Sequence, residues 1–161
     1  MSSESFKEFK QITQGKKLEK RKQKKDWWHA GFAFISRYIS RLLVKTNITA
    51  NQITIFSIFL SLTGLLFIGL GNNFFIILGF ILLYLYIVFD ECDGEVARYK
   101  KQSSFHGIYY DQIGHLVIQG GLFFSLGYSI YSINGEILCL LLGFFSTLFL
   151  LGIRFISKLT N

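Results

Sequence analysis

From residue 53 onward the chain alternates long apolar runs with short polar breaks. The apolar runs cover 53–70, 74–89, 108–133 and 137–153. At about 1.5 Å of helical rise per residue, each is long enough to cross most of a ~30 Å hydrocarbon core. The pattern therefore predicts four transmembrane helices. Ahead of them, 27–45 is amphipathic: Arg37, Arg41 and Lys45 share one face, and Phe34, Ile35, Tyr38, Ile39, Leu42 and Leu43 are apolar. A helix lying in the membrane interface, with Trp27 and Trp28 at headgroup level, fits this pattern. Thr49 or Asn51 is a natural N-cap for the first span. The predicted fold is an all-α integral membrane protein. Its predicted parts are a basic tail over 1–26, an interfacial amphipathic helix over 27–48 and a membrane domain over 49–161.

Composition and charge sharpen this picture. The 161 residues are 51% hydrophobic with 18 Phe and no Pro, which points to a membrane protein of one domain. A net charge of +7 raises the question of nucleic acid. However, all 17 Lys and Arg fall in three blocks, at 7–45, 98–101 and 154–158, so a nucleic-acid surface is not predicted. The breaks at 69–73 (GLGNN) and 132–136 (SINGE) carry no Lys or Arg. The positive-inside rule then predicts four crossings with both termini cytoplasmic, and the tail KKLEKRKQKK at 16–25 facing anionic lipid heads. No cleavable signal peptide is expected, because no apolar run closely follows the first charges. Cys92 and Cys139 form neither a disulfide framework nor a zinc spacing.

The polar break at 90–107 carries the candidate chemistry. In a helix, Asp90, Asp93, Gly94, Ala97 and Arg98 share one face; Gly107, Asp111 and His115 share a face of the next. Asp90 lies 16 residues after Phe74, roughly 24 Å along the helix, which places it in the inner part of the bilayer. A carboxylate there costs about 2.5–3.5 kcal/mol even on insertion scales, so converging carboxylates call for cations. Hard oxygen ligands suit Mg2+ or Mn2+, which also bind diphosphates. Gly94 and Ala97 leave room for a ligand, and Arg98 offers a forked donor to phosphate. Arg98 as a membrane anchor or as a partner of Glu91 or Glu95 is the plainer alternative. Glu91 and Glu95 leave the acidic face and are expected to be solvated or ion-paired. Gly120 and Gly121 suggest close helix packing, or only the tolerance of membrane helices for glycine. An ion pathway would need polar residues continuing outward, and beyond Gln119 only scattered Ser and Thr occur.

The full spacing, D-x2-D-G-x2-A-R-x8-G-x3-D-x3-H, resembles that of the CDP-alcohol phosphatidyltransferases, which end on Asp. Seven of the eight defined positions match, and His115 is the departure. Thr49 to Thr54, TANQIT, is similar to the family's T-P-N-x-V-T with Ala50 in place of Pro. The resemblance implies that Asp90, Asp93 and Asp111 ligate Mg2+ or Mn2+. Gly94, Ala97 and Arg98 would contact the CDP moiety, and Asn51 and Thr54 would lie near the nucleotide. Gly107 would permit close helix approach, and His115 would stand at the base position. The implied reaction is transfer of a substituted phosphate from a CDP-alcohol to an acceptor alcohol with release of CMP, in phospholipid biosynthesis. Expected partners are the CDP-alcohol (CDP-diacylglycerol among the candidates), the acceptor, membrane lipids and a second copy in a homodimer. The active site is expected toward the cytoplasm. Members of the family usually have six spans where four are predicted here. The chain is therefore expected to be a fragment, a short form completed by a partner, or an inactive membrane subunit that binds nucleotide-lipid or a sister protein.

Overall fold

The computed structural model describes residues 8–9, 11–13, 27–102 and 105–159. Among these residues the chain is helical, without strands. The helices are α1 (Trp27–Val44), α2 (Ala50–Gly69), α3 (Asn73–Lys100), α4 (Phe105–Asn134) and α5 (Ile137–Leu159). The last four are long and apolar enough to cross a membrane, as the four apolar runs predict. The protein is thus an all-α, multi-pass integral membrane protein with a separate helix ahead of its spans. The basic tail at 16–25 and the side chains of Trp27 and Trp28 lie outside the described residues.

Local chemistry sets the helix boundaries. Thr49 is the N-cap of α2: its Oγ1 accepts from Gln52 N at 3.3 Å, and Gln52 Oε1 accepts from Thr49 N at 2.9 Å. This reciprocal pair is a capping box, and it leaves Asn51 inside the first turn. Asn72 Oδ1 accepts from Phe74 N at 2.9 Å and starts α3. Gly71 and Gly135, with φ of 73° and 69°, provide the left-handed residues in the two breaks free of Lys and Arg. α3 closes with Gln102 N donating to Ala97 O at 2.9 Å around Lys101, whose φ is 54°. A left-handed residue at this cap is ordinarily glycine; lysine there costs roughly 1–2 kcal/mol.

Burial is inverted relative to a water-soluble bundle. Ser36, Ser40, Ser57 and Ser61 are fully buried, while Leu66, Phe149 and Leu42 are 71%, 71% and 67% exposed. Ser57 and Ser61 donate to Thr54 O and Ile58 O at 2.8 and 2.7 Å, so their hydroxyls are satisfied within α2. Small polar residues facing inward and large apolar residues facing outward is the arrangement that a hydrocarbon solvent favours.

The helices group into two compact units, Met1–Ser57 with Ile87–Tyr110, and Ile58–Tyr86 with Asp111–Asn161. In the first, Ala50, Ile53, Val88, Cys92 and Val96 form the core, and Phe32, Ile39, Leu43 and Val44 of α1 pack on it. Val88, Cys92 and Val96 recur every four residues, so they form one stripe of α3. α1 turns Ser36 and Ser40 inward and Phe34, Tyr38 and Leu42 outward. An outward apolar face suits a helix at a membrane interface. Of the two settings expected for Glu95, solvated or ion-paired, the first is not found. The residue is fully buried and accepts from Ser36 Oγ at 3.1 Å. The four-residue stripe of α3 and the serines of α1 enclose it.

In the second unit Leu65, Ile68 and Leu83 form the core, flanked by Val117, Ile118, Leu122 and Leu126. Backbones approach closely at two glycine pairs. A Cβ added to Gly79 would stand 2.6 Å from Gly64 O, and one added to Gly127 would stand 2.6 Å from Cys139 O. At Gly120 and Gly121 the neighbouring helices contribute side chains rather than backbone. A Cβ at Gly120 would make ordinary contact with Leu151 at 3.5 Å, and Gly121 faces the flexible side chain of Leu65. Gly79→Leu and Gly127→Leu should therefore each destabilise the protein by about 1–3 kcal/mol, the usual cost of overpacking. Gly120→Ala should be close to neutral. Thermal unfolding of the purified variants in detergent micelles compares the three.

Candidate functional site

α3 runs unbroken to Lys100, so the motif residues Asp90 to Arg98 lie on one continuous helix. Asp93 is 8% exposed, and its Oδ2 accepts from Thr54 Oγ1 of α2 at 2.6 Å. Thr54 Oγ1 also lies 3.1 Å from Ala50 O. A hydroxyl has one proton, and the shorter contact, of the length seen when the acceptor is ionised, marks Asp93 as its partner. Asp90, Gly94 and Ala97 are half-buried and Arg98 is exposed. The Arg98 guanidinium lies over Gly94: a Cβ added there would stand 3.2 Å from Nη1 and 3.6 Å from Nη2. Arg98 Nε donates to the backbone carbonyl of Thr13. Asn51 is half-buried in the first turn of α2.

Two residues of the first unit outside the motif face also hold its parts in place. Lys100 Nζ donates to Thr46 O and Ile48 O at 2.7 and 2.8 Å. It thereby ties the end of α3 to the link that precedes the capping box of α2. Glu95, through Ser36, connects the motif helix to α1. Neither role follows from spacing. The one sequence signal for Lys100 is its place in the last turn of a helix, where cations favour exposed carbonyls.

In the second unit His115 and Asp111 sit one turn apart on α4, with Nε2 3.7 Å from Oδ1. The other ring nitrogen, Nδ1, lies 3.4 Å from the hydroxyl of Tyr86, which is 3% exposed. Gly114 makes room for that hydroxyl, since a Cβ there would stand 3.2 Å from Tyr86 Oη. Tyr86 was not among the predicted site residues, although it falls one helical turn before Asp90. Arg154 Nη1 donates to Gln119 Oε1 at 2.6 Å, and Nη2 lies 3.4 Å from Gln112 Oε1. α4 and α5 are thus joined by a guanidinium and two carboxamides.

Among the sequence-predicted site residues, then, Thr54 meets Asp93, Arg98 covers Gly94 and His115 faces Asp111. The acidic donors are carboxylates, the hard oxygen ligands that suit Mg2+ or Mn2+. Asp93 is the least solvated of the three motif aspartates, and removal from water is what makes a bound cation favourable beside a carboxylate.

These features define a helical membrane protein with carboxylate, imidazole and guanidinium groups on the helices that flank one polar loop. The chain belongs to the CDP-alcohol phosphatidyltransferase family, whose pattern matches residues 47–160. A search of the curated proteins found no match. Membership makes this an enzyme of the CDP-alcohol phosphotransferase kind, acting in phospholipid synthesis on a CDP-alcohol and an alcohol acceptor. The family is in general dependent on divalent metal.

Replacing Thr54 by Val should cost about 1–3 kcal/mol of stability, because it removes a donor from a buried carboxylate. Thr54→Ser should retain most of the lost stability. The melting temperatures of the two variants in detergent measure the difference.

Proposed function

We propose that the chain transfers a substituted phosphate from a CDP-alcohol to an acceptor alcohol, releasing CMP, with Asp90, Asp93 and Asp111 as metal ligands and His115 as the base. The observation that carries this reading is the pairing of buried Asp93 with Thr54 on an uninterrupted motif helix. That pairing fixes the rotamer of a carboxylate within the family's motif spacing, as ligand-orienting hydrogen bonds do at metal sites.

In this reading the acceptor oxygen bonds to the phosphorus that bears the alcohol. The bond from that phosphorus to the bridging oxygen breaks, and CMP departs with the bridging oxygen. Bound Mg2+ or Mn2+ would supply positive charge for the diphosphate and the leaving phosphate. Arg98 donates to phosphate oxygens. Gly94 and Ala97 leave the nucleotide room against α3, and Asn51 borders it. Thr54 acts through Asp93, by holding its carboxylate. The acceptor proton passes to Nε2 of neutral His115. In this reading Nδ1–H would face Tyr86 Oη, 3.4 Å away, which would leave Nε2 able to accept the proton. Asp111 Oδ1 lies 3.7 Å from Nε2, on the same face of α4.

Asp93→Asn should abolish CMP release while leaving membrane insertion intact, since it removes a negative ligand and makes insertion easier. His115→Ala should lose most activity, by about 100-fold or more as for a general base. His115→Asp should recover it with a stronger preference for Mg2+ over Mn2+. A CMP-release assay over CDP-alcohols and acceptors measures both effects. Wild-type turnover in Asp93→Asn would refute the ligand assignment, and the absence of metal-dependent CMP release from the wild type would favour the subunit reading.

We further propose that both termini and the active site face the cytoplasm, on the strength of the two outer breaks without Lys or Arg. Single cysteines placed at Asn72 and Asn134 in a background lacking Cys92 and Cys139 should react with an impermeant reagent added outside. A cysteine at Ser103 should not, and the reverse labelling pattern would invert the topology.

A further inference from the structure

The N-terminal segment lies outside the part of the chain that matches the family, which begins at residue 47. Even so, it contacts the motif helix at two successive residues. Phe9, 3% exposed, packs its ring against Tyr99 at 5.4 Å between centroids. Thr13, fully buried, presents its backbone carbonyl to Arg98 Nε. The hydrogen bond from Thr13 Oγ1 to Phe9 O, at 2.8 Å, holds the two anchors in one helical turn.

The consequence falls on Arg98. A long side chain at a membrane interface has many rotamers, and ordering them costs up to about 2 kcal/mol. Here Nε is engaged by Thr13, and Nη1 and Nη2 lie over Gly94. A guanidinium held through Nε presents its Nη edge in a set direction, ready for a bidentate contact with phosphate oxygens. Preorganising the group in this way strengthens binding without adding a contact to the ligand.

We propose that the turn containing Phe9 and Thr13 is a positioning element of the nucleotide site, which sets the Arg98 guanidinium over Gly94 to receive the diphosphate of a cytidine nucleotide. The inference rests on the proposed role of Arg98 in contacting the CDP moiety. Phe9 and Thr13 act through Arg98 and do not touch the nucleotide themselves.

The test is titration of CDP, with Mn2+ present, into the full-length protein in detergent micelles. Phe9→Ala should weaken binding by about two- to tenfold, the range that one aromatic pair supplies. Phe9→Tyr, which keeps the ring, should restore it. Arg98→Ala should weaken binding further, and in that background Phe9→Ala should have no additional effect, because the two residues act as one unit. kcat should be retained in Phe9→Ala while KM for the CDP-alcohol rises. Equal or tighter CDP binding in Phe9→Ala would overturn the proposal, the tighter result meaning that the segment covers the site. An undiminished effect of Phe9→Ala in the Arg98→Ala background would overturn it as well. Lack of CDP binding by the wild type would refute the nucleotide role of the motif and this inference with it; binding by the wild type with no response at Phe9 would refute this inference alone. Hydrogen exchange supplies a readout that needs no variant at Phe9. Amides of residues 11–13 should exchange faster in Arg98→Ala than in the wild type, and equal rates would also overturn the proposal.

Discussion

A carboxylate carried by an apolar helix needs a donor or a cation close by. In this protein the Thr54 hydroxyl answers Asp93 at 2.6 Å. The bond links α2 to α3 at the motif, and much of the surrounding structure serves to bring those two side chains together. Thr49 and Gln52 set where α2 begins, and therefore which face of it carries Thr54. Lys100 ties the link before that cap to the end of the motif helix. Ala50 and Ile53 of α2 pack with Val88 and Cys92 of α3 in one core, which holds the two helices together.

The solvent explains why the rest of the packing looks as it does. Water drives large apolar side chains together, but hydrocarbon does not, so helices in a bilayer associate through close backbone approach and internal hydrogen bonds. The Gly64–Gly79 and Gly127–Gly143 crossings provide the first. Ser36 with Glu95, Thr147 with Gly120 O at 2.8 Å, and Arg154 with two glutamines provide the second. The same physics puts Phe and Leu on the outside of α5, where lipid chains cover them.

Several polar groups on the helix faces are held by a neighbour from elsewhere in the chain. Tyr86 stands against His115, Thr13 against Arg98 and Ser36 against Glu95. An enzyme that works at the edge of a bilayer benefits from this, because electrostatic groups that are already oriented need not reorganise as charge develops. The buried Glu95 adds a distinct constraint. A carboxylate withdrawn from solvent ties the docking of α1 on α3 to hydrogen bonding, and the Ser36 hydroxyl supplies one such bond.

The number and order of the helices, and the membrane as their solvent, could be read from the sequence, since runs of apolar residues and the distribution of Lys and Arg are properties of the chain alone. So could the acidic faces, because helical periodicity assigns Asp90, Asp93, Gly94 and Ala97 to one side whatever surrounds them. The capping choice between Thr49 and Asn51 was open and went to Thr49, where Gln52 completes a reciprocal pair. Other features depended on residues far apart in sequence. Glu95, expected to be solvated or ion-paired because it leaves the acidic face, is withdrawn from solvent because α1 packs there and Ser36 donates to it. Gly120 and Gly121 meet side chains of their neighbours, whereas the backbone crossings fall at Gly64 with Gly79 and at Gly127 with Gly143, because contact depends on where two helices intersect. Lys100 and Thr13 carried no spacing signal that tied them to the site, and Tyr86 carried only its place one turn before Asp90. Periodicity fixes direction around one helix axis; which partner waits in that direction is settled only when a second segment packs there.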